Sequence, residues 1–274
     1  MKKYRILIAY HSGSGSTRTI SEILRDKLSN YYKIDFVKIC QDFDYMKLPH
    51  YDLVLLGYPT YYFKPSYSTL EFVEKMPVFK NKIHFFLFTT YGLYSGNSIR
   101  TLVKVLAERN AIINGYSQIR GPASDGVLLL PSFLRLFFKY ERKVNIKIDR
   151  MVRTIKESLI ESGKILRIPL PRWYSPVTGL FSKQIQGINY SAYKRNLNVL
   201  DDRCNNCNIC VNNCIRNSWE KGKNKPIINI DKCEFCLKCV HNCPTRAIIF
   251  SEKMKDSPRL DKTFYNELKR DTFL

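Results

Sequence analysis

Acidic residues are scarce in this sequence. Only 24 Asp and Glu face 45 Lys and Arg, which leaves a formal charge of +21 over 274 residues. The imbalance is steepest from 131 to 200, with fourteen Lys or Arg against four Asp or Glu. Such a field repels basic partners and suits an acidic protein, an anionic membrane surface or nucleic acid. Long apolar runs are lacking too. The longest, VLLLPSFLRLFF (Val127–Phe138), is broken by Pro131 and Arg135 and falls short of the roughly 20 residues that span a bilayer. The opening MKKYRILIAYHS starts like a signal peptide, but its apolar core of Ile6–Ala9 is too short and no small-residue cleavage site follows. A cytoplasmic setting is therefore expected, where clustered cysteines bind metal more often than they pair. Histidine is rare: His11, His50, His84 and His241 form no metal motif. With neither a Ser-His-Asp arrangement nor motif-supported paired carboxylates, no catalytic acid, base or nucleophile stands out. The chemistry is expected to belong to cofactors.

What is present divides the chain in two. Eight of nine cysteines fall between Cys204 and Cys243, which predicts a boundary before Cys204. Upstream, short apolar strands alternate with helical patterns, the signature of a parallel sheet built from βαβ units. Strands are expected near Tyr4–Tyr10, Lys33–Ile39, Asp52–Gly57, Ile83–Thr89 and Ala111–Ile119. Helices are expected over Arg18–Asn30, Asn97–Arg109 and Ile146–Ser162. Residues 121–145 read as an irregular insertion. Residues 164–196, rich in Pro, Trp, Tyr and Phe, read as a linker, and 253–274 as a charged peripheral tail. Cys40 reads as a small buried hydrophobe.

The cysteines are spaced Cys204, Cys207, Cys210, Cys214 and again Cys233, Cys236, Cys239, Cys243, with Pro244 following. Each run is C-x2-C-x2-C-x3-C, the array that binds four-iron, four-sulfur clusters in bacterial ferredoxins. Zinc sites present separated C-x2-C knuckles, and here the third cysteine of each run comes too soon for that. From 198 to 250 the segment resembles the two-cluster bacterial ferredoxins, in which three close thiolates grip one face of a cubane and the fourth completes the other cluster. On that pattern Cys204, Cys207, Cys210 and Cys243 hold one cluster, and Cys233, Cys236, Cys239 and Cys214 the second. One departure is Ile215, where the pattern has proline after Cys214.

At the other end, HSGSGSTRT (His11–Thr19) follows the first strand. The dinucleotide loop G-x-G-x-x-G fails at Arg18, and the Walker loop fails for want of Gly-Lys-Ser/Thr. A strand, a Ser/Gly loop and a helix remain, able to surround a monophosphate with backbone N–H groups and hydroxyls. Downstream, GYPTYYFKP (Gly57–Pro65) follows the third strand and TTYGLYSGN (Thr89–Asn97) the fourth. In strand order 2-1-3-4-5 the three loops meet at one edge of the sheet. From Lys3 to Gly163 this set resembles flavodoxin. The resemblance implies a flavodoxin-like, doubly wound five-stranded parallel sheet that binds FMN. The phosphate would lie on Ser12, Ser14, Gly15, Ser16 and Thr17, and the ring between Pro59, Thr60 and Tyr61 or Tyr62 on one side and Thr90, Tyr91, Gly92, Gly96 and Asn97 on the other.

Flavodoxin-like α/β domain (1–163) followed by a small α+β two-cluster ferredoxin domain (197–252) is the order seen in flavodoxin–ferredoxin fusion proteins, found mainly in anaerobic bacteria and archaea. The resemblance implies an electron carrier that relays low-potential electrons between a redox partner, two 4Fe-4S clusters and FMN. The alternative is an FMN-dependent reductase of a small molecule or cofactor, fed through the clusters. An acidic redox protein is the expected partner. Nucleic acid is not expected, because such partners account for the basic charge more simply. Contact of Leu128–Phe138 with a membrane surface stays open.

Overall fold

The computed structural model describes residues 4–39, 41–131, 139–160, 168–171 and 194–273. Elements run in the order β1 (Arg5–Tyr10), α1 (Ser16–Ser29), β2 (Lys33–Lys38), a 3-10 turn (Tyr45–His50), β3 (Leu53–Tyr61), β4 (Lys64–Pro65), α2 (Tyr67–Glu74), β5 (Ile83–Tyr91), α3 (Ser98–Ala107) and β6 (Ala111–Arg120). They continue with α4 (Gly126–Leu129) and α5 (Val144–Ile160).

The sheet order is β2-β1-β3-β5-β6, all parallel, with the two-residue β4 turned back antiparallel on β3. Counting the long strands alone, this is the expected 2-1-3-4-5, a flavodoxin-like doubly wound fold. The strands are nearly continuous apolar runs because both faces are covered. Ile6, Ile8, Leu53, Leu55, Phe86 and Phe88 point to one core, against Ile20, Leu24, Ile148 and Ile155 of α1 and α5. The alternate residues Leu7, Ala9, Val54, Leu56, Phe85 and Leu87 point to the other, against Phe72, Leu102 and Leu106 of α2 and α3. Gly57 leaves β3 without a side chain on the first face, and the Phe88 ring fills that space.

The cysteine-rich segment is built from short pieces: β7 (Asn198–Val199), α6 (Ile209–Asn212), β8 (Trp219–Glu220), β9 (Ile227–Ile228), α7 (Lys238–Asn242) and β10 (Ile248–Ile249). β7 pairs antiparallel with β10, and β8 with β9. Its own core gathers Leu197, Val199, Trp219, Phe235, Val240 and Ile248. The internal repeat is visible in the backbone. Asn206 and Phe235, Asn208 and Leu237, Asn217 and Arg246 occupy matching places in the two halves, and all six have positive φ between 48° and 58°.

Three expectations need correction or fall outside the description. The tail is not peripheral: Leu260 and the helix α8 (Lys262–Phe273) pack on the α1 side of the sheet, with Leu260, Tyr265 and Leu268 buried. The insertion 121–145 holds the short helix α4 and the buried Tyr140, which joins the same core. Cys40 and most of the linker 164–196 lie outside the described residues.

Candidate functional site

Spacing alone drives the cysteines together. In each half the chain bends through left-handed residues between the first and third cysteines, then enters a short helix that carries the third. Cys204, Cys207, Cys210 and Cys243 line one cavity of about 330 Å³, counted to its open mouth. Cys214, Cys233, Cys236 and Cys239 line a second of about 520 Å³, likewise counted to its open mouth, which Cys210 also lines. Each cavity thus draws cysteines from both runs, Cys243 beside the first three and Cys214 beside the second. Backbone N–H groups point at the sulfurs in the same repeat: Ser218 N–H donates to Cys214 Sγ and Ala247 N–H to Cys243 Sγ, both at 3.3 Å. Burial pushes the Cys233, Cys236 and Cys239 thiols up, and Cys210 to about 11. Buried sulfurs of this kind ionise readily only beside a cation, and coordination supplies one. Among the described residues no three His, Cys, Asp or Glu side chains converge on a point that would hold a single ion. The sulfurs instead ring cavities, as a multi-atom cluster requires.

The glycine and hydroxyl loop sits where β1 gives way to α1. Gly15 has φ +136°, a conformation that suits glycine. Ser12 is buried, and its hydroxyl has no hydrogen-bonding partner among the described residues. The other hydroxyls are engaged. Ser16 donates to the Tyr140 hydroxyl at 3.2 Å, and Tyr140 donates back to the Ser16 carbonyl at 2.9 Å. Thr17 meets Thr90 at 2.8 Å, which links the first and third loops, and Ser14 lies 3.5 Å from the Tyr265 hydroxyl. The Tyr61 hydroxyl also reaches this loop, beside Gly13. The residues fit a phosphate, since the buried Ser12 hydroxyl lacks a partner among the described residues beside the start of α1. A bound phosphate would take over donors now held by neutral tyrosine oxygens.

The aromatic loops meet this site as the strand order requires. Thr60 hydrogen-bonds Thr89 at 2.8 Å, tying β3 to β5. Tyr62 and Phe63 form a two-residue hairpin turn with φ of 49° and 66°, values of the type I′ turn that favours Gly or Asn. Bulky residues held there mark strain of the kind concentrated at functional sites. Gly96, φ +53°, packs against Phe63. Pro59, Thr60, Thr90 and Gly96 are buried, whereas Tyr61, Tyr62, Tyr91, Gly92 and Asn97 are half-buried. The Tyr61 hydroxyl is turned onto Gly13.

Residues that the sequence did not single out join the two parts. Glu234, between Cys233 and Cys236, reaches into the α/β fold. Its carboxylate lies 3.0 Å from His11 Nε2 and accepts the Ser68 N–H and hydroxyl, each at 2.9 Å. Burial alone would raise the Glu234 pKa, but His11 and Ser68 outweigh it and hold the carboxyl below its ordinary value. A Cβ on Gly13 would stand 2.6 Å from the Cys236 carbonyl oxygen, so only glycine lets the loops touch. Ile215 packs against the α2 and α3 core, and its carbonyl accepts from Gln41 at 3.3 Å. Arg216 pairs with Glu71 and lies 4.5 Å from the Tyr67 ring centre. On the opposite flank His241 Nε2 meets the Ser124 carbonyl at 2.9 Å, and Nδ1 accepts the Leu260 N–H at 3.0 Å. Burial drives the His241 pKa down to about 3, so the ring stays neutral.

Residues 226–249 match the family described as "4Fe-4S binding domain". The chain joins a flavodoxin-like fold to a 4Fe-4S binding domain. Among solved structures it is similar to a flavodoxin from the domain Archaea, at 15% identity and TM-score 0.43, over 57% of this chain and 99% of that one. Flavodoxin 2 from Bacillus cereus gives 18% identity and TM-score 0.43, over 56% and 99%. Rubredoxin oxygen:oxidoreductase from Desulfovibrio gigas gives 14% and 0.39, over 57% and 36%. No curated protein matches the chain. Strand order itself carries the fold assignment, and the matched domain lies within the second cysteine-rich half. Among the described residues no helix is long and apolar enough to cross a membrane.

Proposed function

We propose that this protein is an electron carrier that relays low-potential electrons between an acidic redox partner, two 4Fe-4S clusters and FMN. The observation that carries the reading is the direct contact of the second cysteine loop with the glycine and hydroxyl loop, through Gly13 against Cys236 and His11 against Glu234. Clusters, when bound, supply one-electron chemistry, and a flavin adds one- or two-electron exchange. The chain's own residues do the rest. Cys204, Cys207, Cys210 and Cys243 would hold one cluster, and Cys214, Cys233, Cys236 and Cys239 the other. Ser12, Ser14, Ser16 and Thr17 would hold the flavin phosphate. The buried pair of His11 and Glu234 fixes the two loops against each other, and Tyr61 fills the gap between Gly13 and Cys236 and keeps water out of it.

An anaerobic redox titration on the reconstituted full chain, followed by visible absorption and electron paramagnetic resonance, tests the whole reading. Two cluster signals and one flavin per chain are expected. A colourless protein, or one that takes up iron without sulfide, overturns it.

A further inference from the structure

Beside the glycine and hydroxyl loop a second cleft opens, on the side away from the aromatic loops. It encloses about 1180 Å³ counted to its open mouth. Three stretches of chain wall it: the loop Ser12–Gly15 with the outer face of α1, the end of β2 with α7, and α8. Its charge is one-sided. Among the described residues, Arg18, Arg25, Lys38, Lys238, Lys262 and Lys269 line it against Glu22 and Asp261. Arg18 is spoken for by Glu22 at 2.8 Å, Arg25 by Asp26 at 2.9 Å, and Lys269 lies 3.7 Å from Asp26. Lys38, Lys238 and Lys262 have no carboxylate partner among the described residues. Lys38, at the end of β2, and Lys238, at the start of α7, share one wall. Tyr10 and Tyr265 also line it.

Like charges gathered in a partly closed space repel one another, and an anion that bridges them relieves the repulsion, because each can then donate to it. The walls come from distant parts of the chain, so the occupant has to be compact enough to enter and charged enough to reach all three. We propose that this cleft is a binding site for a small molecule bearing two or more phosphates, seated between Lys38, Lys238 and Lys262. It adjoins the flavin phosphate site through the shared wall Ser12–Gly15, and its lysines stand outside that loop. Lys238 and Asn213 adjoin Cys239 and Cys214, so the ligand would lie against the second cysteine set.

Inorganic pyrophosphate is the probe, titrated calorimetrically into the full chain with clusters reconstituted and FMN at saturation. One-to-one binding is expected, weakened at least tenfold by Lys38→Glu and by Lys262→Glu, with cluster absorption and circular dichroism unchanged. No heat with the wild-type chain overturns the site, as do variants that bind equally well. Binding that vanishes when FMN is added also overturns it, since the anion then sits on the flavin loop. Binding of poly-glutamate in place of pyrophosphate would make the cleft a protein contact. Should the chain take up no FMN, the flavin reading falls on that observation alone, and the Lys38 and Lys262 variants decide this one on flavin-free protein.

Discussion

Each cysteine has a definite share in the candidate clusters. Cys239→Ser is expected to halve the iron of the reconstituted chain, from about eight to about four per molecule, measured by colorimetric iron and sulfide assay. Full loss would mean the segment folds only with both clusters. Glu234 has a different weight. Glu234→Gln leaves His11 facing a neutral amide in a space where both side chains are under 5% exposed. Breaking a buried pair from one side is strongly destabilising, here by about 3 kcal/mol, which denaturant unfolding of the holo protein would register. The cysteines were legible because their message is local spacing. Glu234 was not, because an acid between two cysteines reads as a solvated loop residue, and its partners His11 and Ser68 are far away in sequence. Ile215 was noticed only as a missing proline. Its place against the α2 and α3 core gives the reason: the position serves the junction between the two parts.

Helices and strands were legible where their periodicity was clean. The expected ends fell within two residues for most elements, and β3 ran four residues further than expected, through Tyr61, because β4 folds back and pairs with it. The tail was misread for an equally physical reason. Ten of its twenty-two residues are charged, and the stripe of Leu260, Tyr265 and Leu268 shows only once there is a surface to receive it. That surface is α1, and the Tyr265 ring lies over Gly15 at its start. Helix α8 and a flavin phosphate therefore draw on the same loop, where the Tyr265 hydroxyl lies 3.5 Å from the Ser14 hydroxyl. Tyr265→Phe removes the competing oxygen and keeps the packing, so FMN should bind about fivefold tighter, the worth of about 1 kcal/mol for one hydrogen bond. Fluorescence quenching of FMN measures it, and unchanged or weaker affinity would show that the hydroxyl does not compete. Gly15→Ala, by contrast, meets the Tyr265 ring from a backbone at φ +136° and should cost stability by about 2 kcal/mol, read as a lowered unfolding midpoint.

Across the molecule, the two parts share one continuous set of contacts, made by Glu234, Ile215 and Arg216 on one flank and by His241 and helix α8 on the other. Cofactors of four-cysteine type and a flavin phosphate each bring negative charge, yet the formal +21 leaves a large excess. An acidic donor would then be drawn in by long-range attraction. Its second-order rate of electron delivery is expected to fall about tenfold as ionic strength rises from 10 mM to physiological levels, followed by stopped-flow absorption. A rate indifferent to salt removes the acidic partner from the proposal.

The contact of Glu234 with His11 also bears on how the protein is assembled. Glu234 is held between two cysteines whose positions a metal centre would fix, and its other end grips the residue that leads into the glycine and hydroxyl loop. If the clusters and FMN bind as proposed, iron delivery would precede readiness for flavin on one maturation path. Protein stripped by a chelator should take up FMN poorly until the metal is restored, whereas flavin-free protein should accept iron and sulfide without difficulty.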